Sequence, residues 1–232
     1  MNALLQRLDG WAERSRLNPY RLLEMPHPRL TDADREAFDR VLAATPSGGD
    51  VAYDLAQPRW WFLHHTVARG LLLHGTNEGG LDELGTRATG DAYGAPVHAL
   101  FASDDAIWPL YFATVRRARL RHGYINWAAH VRGSSRYIFS IGADPADRGS
   151  WSDGTIYLLP ATSFRRTGSS RELVSDTPVR PRARLAVTPE DFPFRAQTIG
   201  HQAGDTPMRV VLRHALRPAR GRASGTGRRA ST

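Results

Sequence analysis

The residues best suited to chemistry begin at His74. Leu71-Leu72-Leu73 is an apolar run that calls for burial on both faces, and it ends abruptly in His74-Gly75-Thr76-Asn77. A glycine, lacking Cβ, lets its backbone come close to another group. A polar side chain at the exposed end of a buried strand is a common place for a site. A hydrogen-bonded histidine that merely ends a strand has the same sequence, so the triplet alone leaves both readings open. Other combinations are poorer. His64-His65 would point to opposite faces of a strand, or lie about 100° apart on a helix, which makes a weak chelating pair. The chain has no cysteine, which excludes disulfides, thiolate nucleophiles and cysteine–zinc sites. It carries no Gly-x-Ser-x-Gly elbow of a serine hydrolase. It also lacks a Gly-x-Gly fingerprint between strand and helix, so a bound dinucleotide would not occupy a Rossmann site. No metal is expected.

Such residues need elements to hold them. Leu4, Leu5, Leu8, Trp11 and Ala12 fall at helical spacing over residues 2–15, and Asn18-Pro19 breaks the pattern. Tyr20 to Met25 reads as one more helical turn, stopped by Pro26 and Pro28. Thr31 caps a helix over 32–44 whose inward stripe is Ala37, Phe38, Val41 and Leu42. Pro46 to Gly49 is a loop, so residues 1–50 form a helical section. After His74 come a Gly-rich loop, Glu78 to Pro96, with a short strand or turn near Leu81–Leu84, and then a strand, Val97 to Ala102. Ser103-Asp104-Asp105 caps a helix carrying Ile107, Trp108, Leu110, Tyr111, Phe112 and Val115, with Arg116, Arg117 and Arg119 in its last turn. Beyond Gly123 the period becomes two, over Tyr124–Val131, Arg136–Ile141, Thr155–Leu159, Ser163-Phe164, Glu172–Val174 and Arg182–Val187. A final short helix fits Asp205–Leu216. Helices early and strands late give an α+β class.

The 232 residues suit one large domain or one domain with a helical appendage, and six Trp and eight Phe are enough to anchor a core. The net charge is +8, carried by arginine with no lysine at all. Five of those arginines, at 217, 220, 222, 228 and 229, sit in a Gly/Ala/Ser/Arg tail without a single acid, which leaves the body only mildly basic. Residues 217–232 read as a disordered tail that can touch phosphates. No apolar stretch reaches the length of a membrane span, so no membrane is expected as a partner and a cytoplasmic location is the default.

Three pieces line up in order: a strand ending in His74-Gly75-Thr76, a strand Leu100-Phe101-Ala102-Ser103 leading to a helix with Phe112-Ala113, and a late Glu172-Leu173-Val174. This order resembles the His–aromatic–Glu branch of the ADP-ribosyltransferase superfamily, over about residues 70–190. That branch includes the poly(ADP-ribose) polymerases, the RNA 2′-phosphotransferases and some bacterial nucleic-acid-modifying toxins. The chain also resembles a bacterial group with Trp151-x-x-Gly154-Thr155-x-Tyr157-x-Leu159-Pro160 and a closing Pro189 to Phe194. That second resemblance implies no activity. The first implies N-terminal helices followed by a split, mostly antiparallel β-sandwich core, with the transferase-like domain over 55–200. It implies NAD as substrate, with Glu172 stabilising an oxocarbenium-like ribose and His74 holding a hydroxyl of the adenosine ribose. The backbone of Gly75 would clasp the nicotinamide carboxamide, and Thr76 would add a hydroxyl. Phe101, Ser103 and Tyr111 complete the expected NAD contacts, and Tyr111, Tyr93 or Phe101 would stack on the nicotinamide ring.

Ser170 stands where arginine-directed transferases of the superfamily carry a second glutamate, which speaks against arginine as the acceptor. Protein, nucleic acid, a small molecule and water all stay open as acceptors, as does the oligomeric state. Two other classes fit the sequence. One is a catalytically silent relative that binds a nucleotide or a protein partner. The other is a nucleic-acid-binding module using the arginines of 116–121, 165–166 and the tail.

Overall fold

The structure, a computed structural model, describes residues 22–90, 96–131, 134–166 and 173–216. The expected helix over 2–15 and the tail 217–232 lie outside those residues. In chain order the elements are β1 (Leu23–Glu24), α1 (Asp32–Ala44), β2 (Gly49–Asp50), α2 (Arg59–Ala68), β3 (Leu71–Thr76), β4 (Arg87–Gly90), β5 (Pro96–Ala102) and α3 (Trp108–Thr114). There follow β6 (Trp127–Val131), β7 (Ser134–Ile138), β8 (Ser140–Ile141), β9 (Gly154–Pro160), β10 (Arg165–Arg166), β11 (Leu173–Ser175), β12 (Ala183–Val187), β13 (Ile199–Gly200) and α4 (Pro207–Ala215). Short 3₁₀ turns join several of them. The class is α+β, with four α-helices and several mostly antiparallel sheets among the described residues.

Local chemistry sets the helix ends. The Thr31 hydroxyl accepts the Asp34 amide at 3.1 Å, and the Asp34 carboxylate accepts the Thr31 amide at 2.8 Å, a reciprocal cap that starts α1 at the expected residue. At its other end the Arg182 guanidinium donates to the carbonyls of Leu42 and Thr45. Helix α2 stops at Gly70, whose φ of 84° lies in the left-handed region, and β3 starts one residue later. The Asp39 carboxylate of α1 accepts from His65 at 2.7 Å and from Arg69, both near the end of α2. Those hydrogen bonds, that from Arg69 foremost, hold its pKa down to about 2.

Two four-stranded sheets form the centre. One runs β2-β12-β9-β3 and the other β10-β11-β5-β4. They are joined at one place, where Leu73 and Ser103 exchange both backbone hydrogen bonds at 2.9 Å. Residues of β3 and β9 alternate between two cores, as strand geometry requires. Leu73, Ile156 and Leu158 pack with Phe38, Phe62, Leu63, Leu110 and Tyr111 on the helical side. Leu72, Tyr157 and Leu159 pack with Leu100 and Leu173 of the second sheet. Phe38 of α1 therefore belongs to the same core as β3.

Several elements differ from the sequence reading. Leu23–Glu24 is a strand paired with Tyr137 and Arg136 rather than a helical turn, because β7 offers its backbone an edge. The stretch read as a loop after Glu78 contains β4, which pairs with β5 from Arg87↔Ala99 to Gly90↔Pro96. Helix α3 ends at Thr114, since Val115 is extended and bridges Trp151, so Arg116, Arg117 and Arg119 lie beyond it and not in its last turn. Ala161–Ser163 is a 3₁₀ turn, where a strand was expected at Ser163-Phe164. Among the described residues no helix is long and apolar enough to cross a membrane.

Candidate functional site

The end of β3 lies at the split between the two sheets. Its partner on one side is β9, with His74 opposite Tyr157 and Thr76 opposite Thr155. On its other edge Leu73 turns both N–H and C=O toward Ser103. In an antiparallel ladder these directions alternate, so the N–H and C=O of Gly75 point to the same edge as those of Leu73. Among the described residues no strand pairs with β3 beyond that bridge, because the chain after Ser103 turns away into α3. Gly75 thus offers a backbone donor and acceptor side by side at the split.

Its missing side chain has a second use. A Cβ on Gly75 would lie far inside van der Waals contact distance of the Pro109 carbonyl oxygen of α3, and one on Gly154 would do the same to the Ala113 carbonyl. Pro109 and Ala113 are one helical turn apart, so α3 lies with its backbone directly on two glycines of adjacent strands. Asn77 locks the far end: its amide donates to the Ala113 carbonyl at 2.7 Å and to the Ser152 hydroxyl at 3.1 Å.

His74 is half-buried, on the face of β3 that carries Leu72 toward the second sheet. Its Nδ1 lies 2.7 Å from the Phe101 carbonyl oxygen. A carbonyl only accepts, so Nδ1 carries the proton, and a neutral ring then keeps an unprotonated Nε2 as acceptor. Burial pushes the His74 pKa below the ordinary histidine value, opposed by the Phe101 hydrogen bond, while the charges of Arg117 and Arg87 push it down further and Glu78 pulls it back. Arg87 and Glu78 pair with each other at 3.0 Å. His74 is therefore a neutral imidazole near two cations and one carboxylate.

The other candidates divide. Thr76 is buried, and its hydroxyl accepts the Glu78 amide at 3.2 Å, shaping the turn out of β3. Ser103 holds β3 through its backbone, and its hydroxyl accepts the Asp105 amide at 3.1 Å. Phe101 positions His74 through its carbonyl, and its own ring is half-buried. Tyr111 is fully buried, its ring stacked on Phe139 at 5.0 Å and edge-on to Phe192 at 5.8 Å. Both faces are covered, so Tyr111 is a core residue with no surface to stack on a ligand. Its hydroxyl donates to the Ser140 carbonyl at 3.3 Å, and burial raises its pKa. Glu172, Ser170 and Tyr93 lie outside the described residues. Leu173, the residue covalently after Glu172, pairs with Ala102 on β5, next to the Ser103 that bridges Leu73.

Asp105 was expected only as a cap and does more. One carboxylate oxygen accepts the amides of Ile107 at 2.7 Å and Trp108 at 3.0 Å, opening α3, and the other accepts the Tyr137 hydroxyl at 2.5 Å. Arg87, Glu78 and Arg117 were missed around His74. Arg87 sat in an apparent loop, and only the fold brings Arg117 near. His64 and His65 sit on α2, and among the described residues no three His, Asp or Glu side chains come together to hold a metal. No family model, curated protein or solved structure matches the chain.

Proposed function

We propose that the chain is an ADP-ribosyltransferase-type enzyme that cleaves NAD between nicotinamide and ribose and passes the ADP-ribose to an acceptor or to water. The supporting observation is the juxtaposition at the split. His74 and Gly75 end β3, β5 is bridged to β3 at Ser103, and the strand after Glu172 is paired to β5. The described residues of the three stretches on which the resemblance rests are thus neighbours across one seam, although they are far apart in sequence.

Each residue has a role that its surroundings permit. The free edge of Gly75 pairs one donor and one acceptor, the pattern that a carboxamide complements. The unprotonated Nε2 of His74 accepts a ribose hydroxyl. Phe101, half-buried beside His74, is the described candidate left to stack on nicotinamide now that Tyr111 belongs to the core. As the bond from C1′ to the nicotinamide nitrogen breaks, its electron pair leaves with nicotinamide and positive charge builds on the ribose. The Glu172 carboxylate stabilises that charge and orients the incoming hydroxyl, whose proton is lost as the new bond to C1′ forms.

Calorimetric titration with NAD and with nicotinamide tests the binding half of this reading. Both ligands should bind the wild type, and His74→Ala should weaken NAD about tenfold or more while nicotinamide, which has no ribose, is affected much less. If neither ligand binds, the NAD reading is wrong.

A further inference from the structure

The arginines of 116–121 and those of 165–166 fall into two groups. Arg165 is paired with Asp176 at 2.9 Å and Arg166 with Asp104 at 2.6 Å. Arg116, Arg117, Arg119 and Arg121 are all exposed, and none of them has an ion-pair or hydrogen-bond partner for its guanidinium among the described residues. The turn carrying Arg117 and Arg119 packs against the turn of residues 148–150, which adds the exposed Arg148, and the Arg116 amide donates to the Ser150 carbonyl at 3.0 Å. Arg116 and Arg148 thus line one hollow, next to the turn that carries the exposed Arg117 and Arg119.

Three residues beyond Arg121 stands the only exposed large aromatic side chain among the described residues. Tyr124 is 45% exposed. Its backbone is pinned by a bridge to Ile141, and its ring rests edge-on against Phe112 at 5.5 Å and Tyr111 at 6.4 Å. A ring fixed from below by other aromatics is a ready platform for stacking. Beyond Arg116 the surface drops into an open hollow of about 330 Å³ lined by Arg116, Arg148, Trp151 and Arg195, with Asp153 and Glu190 as its acids. Glu190 is held by Arg195 at 2.5 Å. The neighbouring carboxylates of Asp144 and Asp147 accept backbone amides of their own loop. Cations spaced along a surface, next to a rigid stacking ring, match a strand of phosphates with unpaired bases.

We infer that the face formed by Arg116, Arg117, Arg119, Arg121, Arg148 and Tyr124 binds single-stranded nucleic acid. This surface stands independently of the NAD reading. It adjoins the candidate site because Arg117 acts on His74. The strand lays its phosphates on the guanidiniums and stacks a base on Tyr124.

The test is fluorescence anisotropy of the full chain with a labelled oligodeoxythymidylate over a salt series. The wild type should bind, with log affinity falling linearly against log salt. Arg119→Gln/Arg121→Gln should weaken binding and flatten that slope by about 1.4, because each lost phosphate contact removes about 0.7 for a single strand. Arg165→Gln/Arg166→Gln removes the same charge from the paired group and should leave the slope unchanged. Tyr124→Ala should cost about tenfold with the slope intact, and Tyr124→Phe, which keeps the ring and the packing, should bind as the wild type does. Failure to bind overturns the inference. So does an equal effect of the two arginine pairs, which would mean that net charge or the tail does the binding. Displacement of the oligonucleotide by polyglutamate at equal charge would also overturn it, by marking the face as a site for acidic protein. A titration of Arg119→Gln/Arg121→Gln with NAD keeps the two readings apart, since neither residue is placed in the NAD site.

Discussion

His74 is held as a neutral ring that donates through Nδ1 and accepts through Nε2, and its pH behaviour follows. Its pKa in the folded chain lies below the ordinary 6.5. Between those two values the unfolded chain binds a proton that the folded chain does not, so stability rises with pH in that window. The contribution is complete above pH 6.5 and is lost as the pH falls toward the folded pKa. In urea titrations across that range, His74→Gln should show a shallower loss of stability on acidification than the wild type. Equal pH slopes for the two would mean that the ring is not desolvated. The histidine and its glycine were legible from the sequence, because an apolar run ending in His-Gly is visible in any alphabet of residue types. The carbonyl that orients the ring was not, since it arrives from β5 through a register that no local pattern encodes. Tyr111 was misjudged for a related reason. A helix shows which residues are apolar, but not which of its aromatics face the core and which face a ligand.

Helix α3 is the element on which the site depends, and its seat is made of glycine. Gly75→Ala and Gly154→Ala each drive a methyl into a backbone carbonyl of α3, which cannot rotate away as a side chain can. Each should destabilise the chain by about 3 kcal/mol, toward the upper end of overpacking costs, and lower the melting temperature by several degrees. Gly85→Ala, with nothing within 4 Å of its Cβ position, should melt as the wild type does. The sequence reading anticipated a close backbone approach at Gly75. It assigned the approach to a ligand, whereas the structure also puts Pro109 there. Asp105 governs the start of the same helix. Asp105→Ala removes the acceptor for two helix amides and for the Tyr137 hydroxyl, and should cost about 3 kcal/mol in chemical denaturation. Asp105→Asn, which keeps an oxygen acceptor, should cost less.

On the scale of the molecule, two sheets and a helical layer share β3. Leu72 faces the second sheet and Leu73 the helices, so one strand ties both cores together. Unfolding should therefore be one transition, with far-ultraviolet and near-ultraviolet dichroism changing together. Leu72→Ala should lower its midpoint by an amount that corresponds to about 3 kcal/mol without splitting it. Two separated transitions would show that the sheets fold independently. The α+β class was legible because hydrophobic periodicity shifts from helical to alternating along the chain. Residues 32–44 are helical where a cap and an apolar stripe announced them, and 207–215 are helical within the short helix expected over 205–216. The sheet order was not legible, because β5 joining β11, and β9 joining β3, are pairings set by packing between distant segments.

The central claim is that the carboxylate of Glu172 completes a site for breaking NAD, and nicotinamide release tests it most directly. Purified wild-type protein and Glu172→Gln are each incubated with NAD, and released nicotinamide is measured by chromatography, with NAD affinity measured in parallel. The account predicts release by the wild type, a loss of about a hundredfold or more in the variant, and similar NAD affinity in both. Nicotinamide release at the same rate from both proteins, or NAD binding by the wild type with no release, would contradict it.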